Sequence, residues 1–567
     1  MKNLKLTMAF LCLLATALCK AQPNAPAHMA AAAIPFNQQS LENTYLLGRV
    51  WGLLKYFHPA VATGQDDWDA ELFKKLALVN CSNQAFNEDL SRWITSLGPT
   101  VPCRSCQPTI TDSLLARNRW ITNTSFTKET SSLLRQVIMN RNTGKNKYVR
   151  MISFFQNPDF GTENAYRTLK DIDVNYRLLC LFRFWNMVAY YFPYKDLIGE
   201  DWDNALKAMI PEFINAQTPL AYKLAAWRMI DRIHDTHANL YSNYSDQEML
   251  NFMGGPRQLP VIILRVEDQY VVAGLRDSIN YPQLQLGDVI LKIDGQSVTE
   301  RAEKLMPYAC ASNQITAYRN VGLNLLRSKQ DTIHLQIVRK GKLIDLHVPS
   351  LNNQEFGQMV LQAAARAEKQ LPYRLLNPQV GYVRFDMTHS NFVKEMFDSF
   401  KATKGMVVDL RNYPAVSVNH LLRKYLNERP VTFAKFKYTD TSHPSLFINE
   451  KEQTFGAINK KPYQGKVVVL VNEQSQSNAE FVAMALRACK RVVIMGSQTA
   501  GADGNISRIN LPGGLYTYFS GIGVYYPDGS GTQRIGIVPD MEVKPTLKGL
   551  SEGRDELLEK AMTWLAN

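Results

Sequence analysis

Between residues 41 and 245 the apolar positions recur at helical spacing, the signature of amphipathic and buried helices. The same stretch contains an internal duplication. Arg49, Trp51, Tyr56, Pro59, Asp67, Trp68, Asp69 and Leu72 recur as Arg183, Trp185, Tyr190, Pro193, Asp201, Trp202, Asp203 and Leu206, always 134 positions later and without a gap. The unit is an aromatic helix, a proline-marked turn, and an Asp-Trp-Asp start to a second helix, with acid where capping and the helix dipole favour it. Its aromatics read better as the packing between two helical hairpins than as a ligand groove. After Gly254-Gly255-Pro256 the pattern shortens to strands, predicted at 259–266, 270–273, 332–339 and 343–348, with a helix near 298–306 and a tight hairpin at Asp294-Gly295. From about residue 376 strands and helices alternate as in a layered α/β domain. Strands are predicted at 381–385, 405–410, 467–471 and 491–494, and helices at 390–402, 417–426, 478–490 and 554–565. A glycine-rich β stretch fills 501–536. The fold class is multidomain α+β.

A chain of 567 residues suits three or four domains. At its start, Lys2 and Lys5 precede an apolar run from Leu6 to Leu18 and then Cys19-Lys20-Ala21-Gln22. This is the pattern of a secretory leader cut after Ala21. The bulk of Leu18 disfavours a lipid anchor on Cys19. The domain reading is therefore leader 1–21, linker 22–40, duplicated helical domain 41–250, β domain 255–350 and α/β domain 365–567. The mature protein is expected to be exported, periplasmic or secreted, with no later membrane-spanning segment. Lys2, Lys5 and Lys20 account for three of the formal +13, leaving about +10 as scattered charge. That spread does not favour nucleic acid as a partner. Cys103-Arg104-Ser105-Cys106 is a lone C-x-x-C without a second pair at zinc spacing, so a structural disulfide is the expectation for an exported chain and no metal is implied. Sequence leaves the cysteine pairing open.

The segment from Val467 to Glu480, Val-Val-Val-Leu-Val-Asn-Glu-Gln-Ser-Gln-Ser-Asn-Ala-Glu, is a buried strand, a turn and a helix start. A serine there lies at the positive end of a helix beside free N–H groups, suited to an oxyanion, although serine is equally a favoured cap. Four segments together resemble the tail-specific, or C-terminal-processing, serine peptidase family. VNEQSQSNAEFVAMAL resembles its Ser-x-Ser-x-x-Glu nucleophile motif, GSQTAGADGN (496–505) its Gly-x-x-Thr-x-Gly-Lys-Gly loop, VVDLRNYPA (407–415) its oxyanion segment, and GIVPD (536–540) a late Gly-x-x-Pro-Asp element. They stand in family order after LQLGDVILKIDGQSV, which resembles a PDZ domain, a module that takes extended peptide ends by strand addition.

The resemblance implies a ClpP/crotonase-like α/β peptidase core with Ser477 as nucleophile, rather than Ser475. The oxyanion donors would be the N–H of Asn478 and one near Ala415. The lysine base of the family's dyad branch maps to Ala502, which cannot accept a proton. His237, in Asp235-Thr236-His237-Ala238, resembles the tricorn branch, where a histidine before the inserted PDZ domain is the base, and His234 is the fallback. That branch supports its base with a hydroxyl, matched by Thr236, and a glutamate, which falls on Gln533. The implied function is hydrolysis of polypeptides through an acyl-enzyme on Ser477 with His237 as general base and no cofactor. The duplicated helices would form a lid or platform. Alternatives are a weakly active or inactive peptide-binding scaffold, for which Ala502 and Gln533 speak, and hydrolysis of another acyl substrate, against which stands the missing Gly-x-Ser-x-Gly elbow. Oligomeric state is not readable.

Overall fold

In the computed structural model the described residues are 37–567, apart from 65, 105, 153–155, 170, 243–245, 278, 387–389 and 450–451. The leader and most of the linker lie outside them. The chain adopts the α+β multidomain architecture that its pattern predicts.

The duplication is a pseudo-twofold pair of three-helix units: Gln38–Phe57, Trp68–Leu76 and Asn83–Ser96 against Val174–Tyr191, Trp202–Asn215 and Pro219–Asp231. Within each unit the tryptophans lock the hairpin reciprocally. Trp51 Nε1 donates to the Trp68 carbonyl at 2.9 Å and Trp68 Nε1 to that of Trp51 at 3.1 Å. Trp185 and Trp202 repeat the arrangement at 2.6 and 3.1 Å. Along the axis residues meet their own counterparts. Tyr56 packs edge-on against Tyr190, with ring centres 5.7 Å apart. Gly52 faces Asn186 so closely that a Cβ would lie 1.9 Å from its Oδ1. Across the axis the ion pairs are exchanged: Arg49 binds Asp203 at 2.6 Å and Arg183 binds Asp69 at 2.7 Å. The duplicated aromatics are thus packing residues. Cys103 and Cys106 form a disulfide, and Cys81, Cys180, Cys310 and Cys489 are free thiols.

The β domain is an antiparallel sheet ordered Lys342–Pro349, Thr332–Arg339, Val289–Ile293, Gln269–Leu275, Val261–Val266. Asp294 and Gly295 turn the expected hairpin, both at positive φ (50° and 79°), as a two-residue turn of right-twisted strands requires. Helices Val298–Leu305 and Gln314–Leu325 cover it, the second capped by Asn313.

The C-terminal α/β domain is a six-stranded sheet ordered Tyr373–Asn377, Val380–Arg384, Gly405–Asp409, Lys466–Val471, Val492–Gly496, Met541–Glu542, parallel after its first pair. Both faces are covered, which explains the unbroken apolar run of the strand before Ser477. Val467, Val469 and Val471 pack toward helix Asn478–Arg487, whereas Val468 and Leu470 pack against Leu557, Ala561 and Leu565 of helix Glu556–Ala566. The glycine-rich stretch forms the hairpin Ile506–Leu511/Leu515–Ser520, whose Ile509, Leu511, Leu515 and Phe519 complete the core of the helical domain. Tyr222 and Arg183 anchor it by bonds to the carbonyls of Pro512 and Asn510. The helices are therefore built into the C-terminal domain, and the hairpin ends where the histidine segment lies.

Candidate active site

Ser477 ends the turn between strand Lys466–Val471 and helix Asn478–Arg487 with φ 56° and ψ −116°. An ordinary N-cap serine has extended backbone and negative φ. Positive φ on a side-chain-bearing residue is strained and persists where the surroundings enforce it. Three backbone bonds do so here: Ser477 N–H donates to the Glu480 carboxylate (3.1 Å) and to the Ala502 carbonyl (3.0 Å), and Phe481 N–H donates to the Ser477 carbonyl (3.0 Å). The Tyr413 phenol lies near the Ser477 side chain. Ser475, by contrast, is fully buried and structural: its hydroxyl donates to the Leu410 carbonyl at 2.7 Å and accepts from Asn472 N–H.

Glu480 explains why the sequence segments converge. Its buried carboxylate accepts from Thr499 Oγ1 (2.5 Å), Gly501 N–H (2.8 Å) and Ala502 N–H (3.1 Å) as well as Ser477 N–H. Thr499 Oγ1 in turn accepts from Ile537 N–H. Asp540 receives Ile494 N–H, and Asp409 pairs with Arg411, which also binds Asp555. Burial raises the Glu480 carboxyl pKa, and its four donors oppose the rise. Ala502 does lie against Ser477, but it brings only methyl and backbone.

His237 sits in a different arrangement from the one expected of it. Its Nδ1 is 2.8 Å from Ser520 Oγ, at the end of the hairpin, and Ser520 Oγ donates to Asp235 Oδ1 at 3.1 Å. Asp235 is fully buried and also receives the N–H groups of His237 (3.0 Å) and Ser520 (2.6 Å). A carboxylate only accepts, so the Ser520 proton points to Asp235 and its oxygen accepts from Nδ1–H. Nε2 then carries the lone pair. Burial lowers the His237 pKa, Arg319 reinforces this, and Asp235 opposes it, so the ring is a neutral base at pH 7.

Three expectations need correction. Gln533 is 2% exposed and neither amide atom has a hydrogen-bond partner among the described residues; the carboxylate that supports the imidazole comes from Asp235 instead. The Thr236 hydroxyl faces away from that chain, bonding Ser312 Oγ and the Ala500 carbonyl, each at 3.0 Å. It ties the histidine segment to the loop that carries Ala502. The Ala415 N–H is committed to the Phe385 carbonyl at 2.9 Å and is not open to an oxyanion, while the Asn478 N–H has no acceptor among the described hydrogen bonds. The His237 and Ser477 segments rest on the same Ala500–Ala502 loop, with no direct bond between the two side chains among those described. Arg319, from the β domain, crosses to the serine turn at the Glu473 carbonyl (2.8 Å) and Gln476 Oε1 (3.0 Å). His234 stands in a tight turn at φ 48°. Among the described residues no three His, Cys, Asp or Glu side chains cluster as a metal site would, and no helix is long and apolar enough to cross a membrane. Asp235 adjoined the histidine motif in sequence; nothing marked Ser520.

Residues 379–543 match the profile of peptidase family S41. A carboxyl-terminal-processing protease of Picosynechococcus sp. is 22% identical over 369 residues, 62% of this chain and 83% of that protein. Mature CPAF complexed with lactacystin shares the fold with a TM-score of 0.52 at 14% identity, covering 69% of this chain and 98% of that one. A CPAF mutant structure gives 0.54 at 15% identity, over 69% and 97%. Ser477, strained at a strand-to-helix turn, thus lies within the segment of the chain that matches peptidase family S41.

Proposed function

We propose that the chain is an exported peptidase that cleaves polypeptides through an acyl-enzyme on Ser477, with His237 as general base. The observation that carries this reading is the strained backbone of Ser477, held at φ 56° by Glu480 and Ala502. His237 Nε2 takes the Ser477 proton as Oγ attacks the scissile carbonyl, then returns it to the leaving amine. Asp235, through Ser520, holds the ring in the tautomer that can do this and stabilises the imidazolium that forms. The Asn478 N–H, at the helix N-terminus, holds the oxyanion. The Tyr413 phenol, near Ser477, serves as second donor in place of Ala415. The β domain, read as PDZ-like, delivers the polypeptide, and Arg319 couples it to the serine turn. The duplicated helices act as a fixed wall rather than a lid, since they share their core with the 506–520 hairpin. Export follows from the 1–21 leader.

The test is hydrolysis of an unfolded polypeptide by the purified mature chain. Cleavage that disappears in both Ser477→Ala and His237→Ala supports the reading. Cleavage that survives Ser477→Ala refutes it, and binding without cleavage by the wild type would favour the scaffold.

A further inference from the structure

The two exchanged ion pairs of the helical repeats are equivalent by pseudo-symmetry but are not completed alike. Around Arg183 and Asp69 the site is closed. Glu163, from the segment joining the repeats, places a carboxylate oxygen 3.1 Å from Arg183 Nε and another 2.7 Å from Lys55 Nζ, while Tyr166 donates to Asp69. At Arg49 and Asp203 the counterpart of Lys55 is Ala189. The chain after the second repeat runs on through His237 to the β domain, and no second carboxylate is within ion-pair distance of Arg49 among the described residues. A cavity of about 600 Å³ stands there, walled by Arg49, Arg117, Arg119, Trp120 and Lys195, with Asp203 as its one acid. It opens into a second lobe of about 440 Å³ that Ala189 lines. The acids of that lobe are Asp203, Glu200, paired with Arg232, Asp201, which caps the helix at Asn204, and the largely exposed Asp196, at the 4.0 Å limit of an ion pair with Arg117.

Arg49 is 6% exposed, and its buried Nε, like that of Arg183, has no hydrogen-bond partner among the described residues, but only Arg183 Nε has a carboxylate, Glu163, within ion-pair distance. Such a donor is costly to leave unmet. Its guanidinium lies 4.2 Å from the centre of the Trp120 ring, so a ligand reaching Nε would slide along an aromatic face. Burial lowers the pKa of Lys195, Arg117 and Arg49 push the same way, and Asp196 and Asp203 oppose the fall.

We propose that this cavity binds an organic carboxylate, which takes at Arg49 the place that Glu163 takes at Arg183, with Arg117, Arg119 and Lys195 gathered around it. The shared chemistry has two sources, an acidic side chain of a polypeptide or a free dicarboxylate. The inference does not depend on the peptidase reading, because its residues lie in the helical repeats and its readout is binding.

The experiment is calorimetric titration of the mature chain with three probes: glutarate, an acetylated and amidated Ala-Glu-Ala tripeptide, and its Ala-Gln-Ala analogue. The carboxylate probes are expected to bind and the glutamine analogue to bind at least about tenfold more weakly. Arg117 and Arg119 are exposed on the rim, so the double variant Arg117→Gln/Arg119→Gln should fold normally and weaken carboxylate binding by at least about tenfold. Binding of glutarate as tight as that of the tripeptide identifies a free acid as the occupant, and binding of the tripeptide alone identifies an acidic side chain. The proposal is overturned if neither carboxylate binds below about 10 mM, if the glutamine analogue binds equally, or if the double variant leaves affinity unchanged.

Discussion

Replacing Ser520 by alanine removes the hydroxyl that joins His237 Nδ1, at 2.8 Å, to Asp235 Oδ1, at 3.1 Å. It leaves the rest of the site in place, because the N–H of residue 520 keeps its 2.6 Å bond to Asp235 Oδ2. Nδ1 then faces Asp235 Oδ1 across 3.6 Å, too far for a good hydrogen bond without movement. A hydrogen bond to a charged group contributes about 1.5–3 kcal/mol. On the proposed mechanism that support is strongest when the ring becomes imidazolium, so the loss falls on the transition state. The rate should drop by about 10- to 150-fold. The assay is the second-order rate of inactivation by a fluorophosphonate, which needs no knowledge of the substrate. Ser520→Ala should inactivate more slowly by that factor while retaining the wild-type melting temperature to within a few degrees. Asp235→Asn should be slower still, since it also removes the charge. A Ser520→Ala variant that reacts at the wild-type rate across the pH range would refute the hydroxyl bridge.

Further outcomes follow from other parts of the molecule. Because burial depresses the His237 pKa, the acid limb of the inactivation rate should lie below about 6.5. Arg319→Gln removes a charge that depresses it and should move the limb upward, whereas Asp235→Asn should move it downward; a limb above 6.5 in the wild type would contradict this. Glu480→Ala leaves three donors without their acceptor, Ser477 N–H keeping the Ala502 carbonyl, and should cost at least about 3 kcal/mol at about 1–3 kcal/mol each, read by denaturant unfolding. Asp69→Asn breaks a pair whose arginine is wholly buried and should cost about 3–5 kcal/mol. The equivalent Asp203→Asn, at a carboxylate 40% exposed, should cost about 1 kcal/mol or less, and equal costs would refute the asymmetry drawn above. His58 has both ring nitrogens buried and without a hydrogen-bond partner among the described residues, and burial pushes its pKa down to about 4. The unfolded chain therefore binds that proton more readily, and stability is lost as pH falls from about 6.5 toward 4. Its counterpart in the second repeat is Phe192, so His58→Phe should flatten that loss in pH-dependent melting.

The parts of this structure that were legible beforehand are those where local pattern and global packing agree. The strand before Ser477 reads as buried because it is covered on both faces, and the duplication is visible because Trp51, Trp68 and their counterparts must keep both ring and spacing to close the same reciprocal bonds. Helices with weak apolar contrast were missed. Asn353–Glu368 buries only Met359 and leaves no stripe to read, and Gln314–Leu325 is announced mainly by its Asn313 cap. The repeat also extends further than the first eight matches suggest, to Trp93 and Trp227 at the same offset, each on its unit's third helix. At the site, the serine and its loop follow from motif residues that bind one another directly through Glu480. The support of His237 does not. Ser520 is 283 residues away and ends an ordinary hairpin, so only the fold brings it to the imidazole. Nor does any residue type signal the positive φ of Ser477, since a glycine would have marked it and a serine does not.

The most direct test is to map the residue that carries the adduct after fluorophosphonate treatment of the folded mature chain, by peptide mass spectrometry, in the wild type and in His237→Ala. The account predicts a single modified residue, Ser477, in the wild type, and a rate of modification reduced by about a hundredfold or more in His237→Ala. An adduct on another residue, or modification of Ser477 at an undiminished rate without His237, would contradict it.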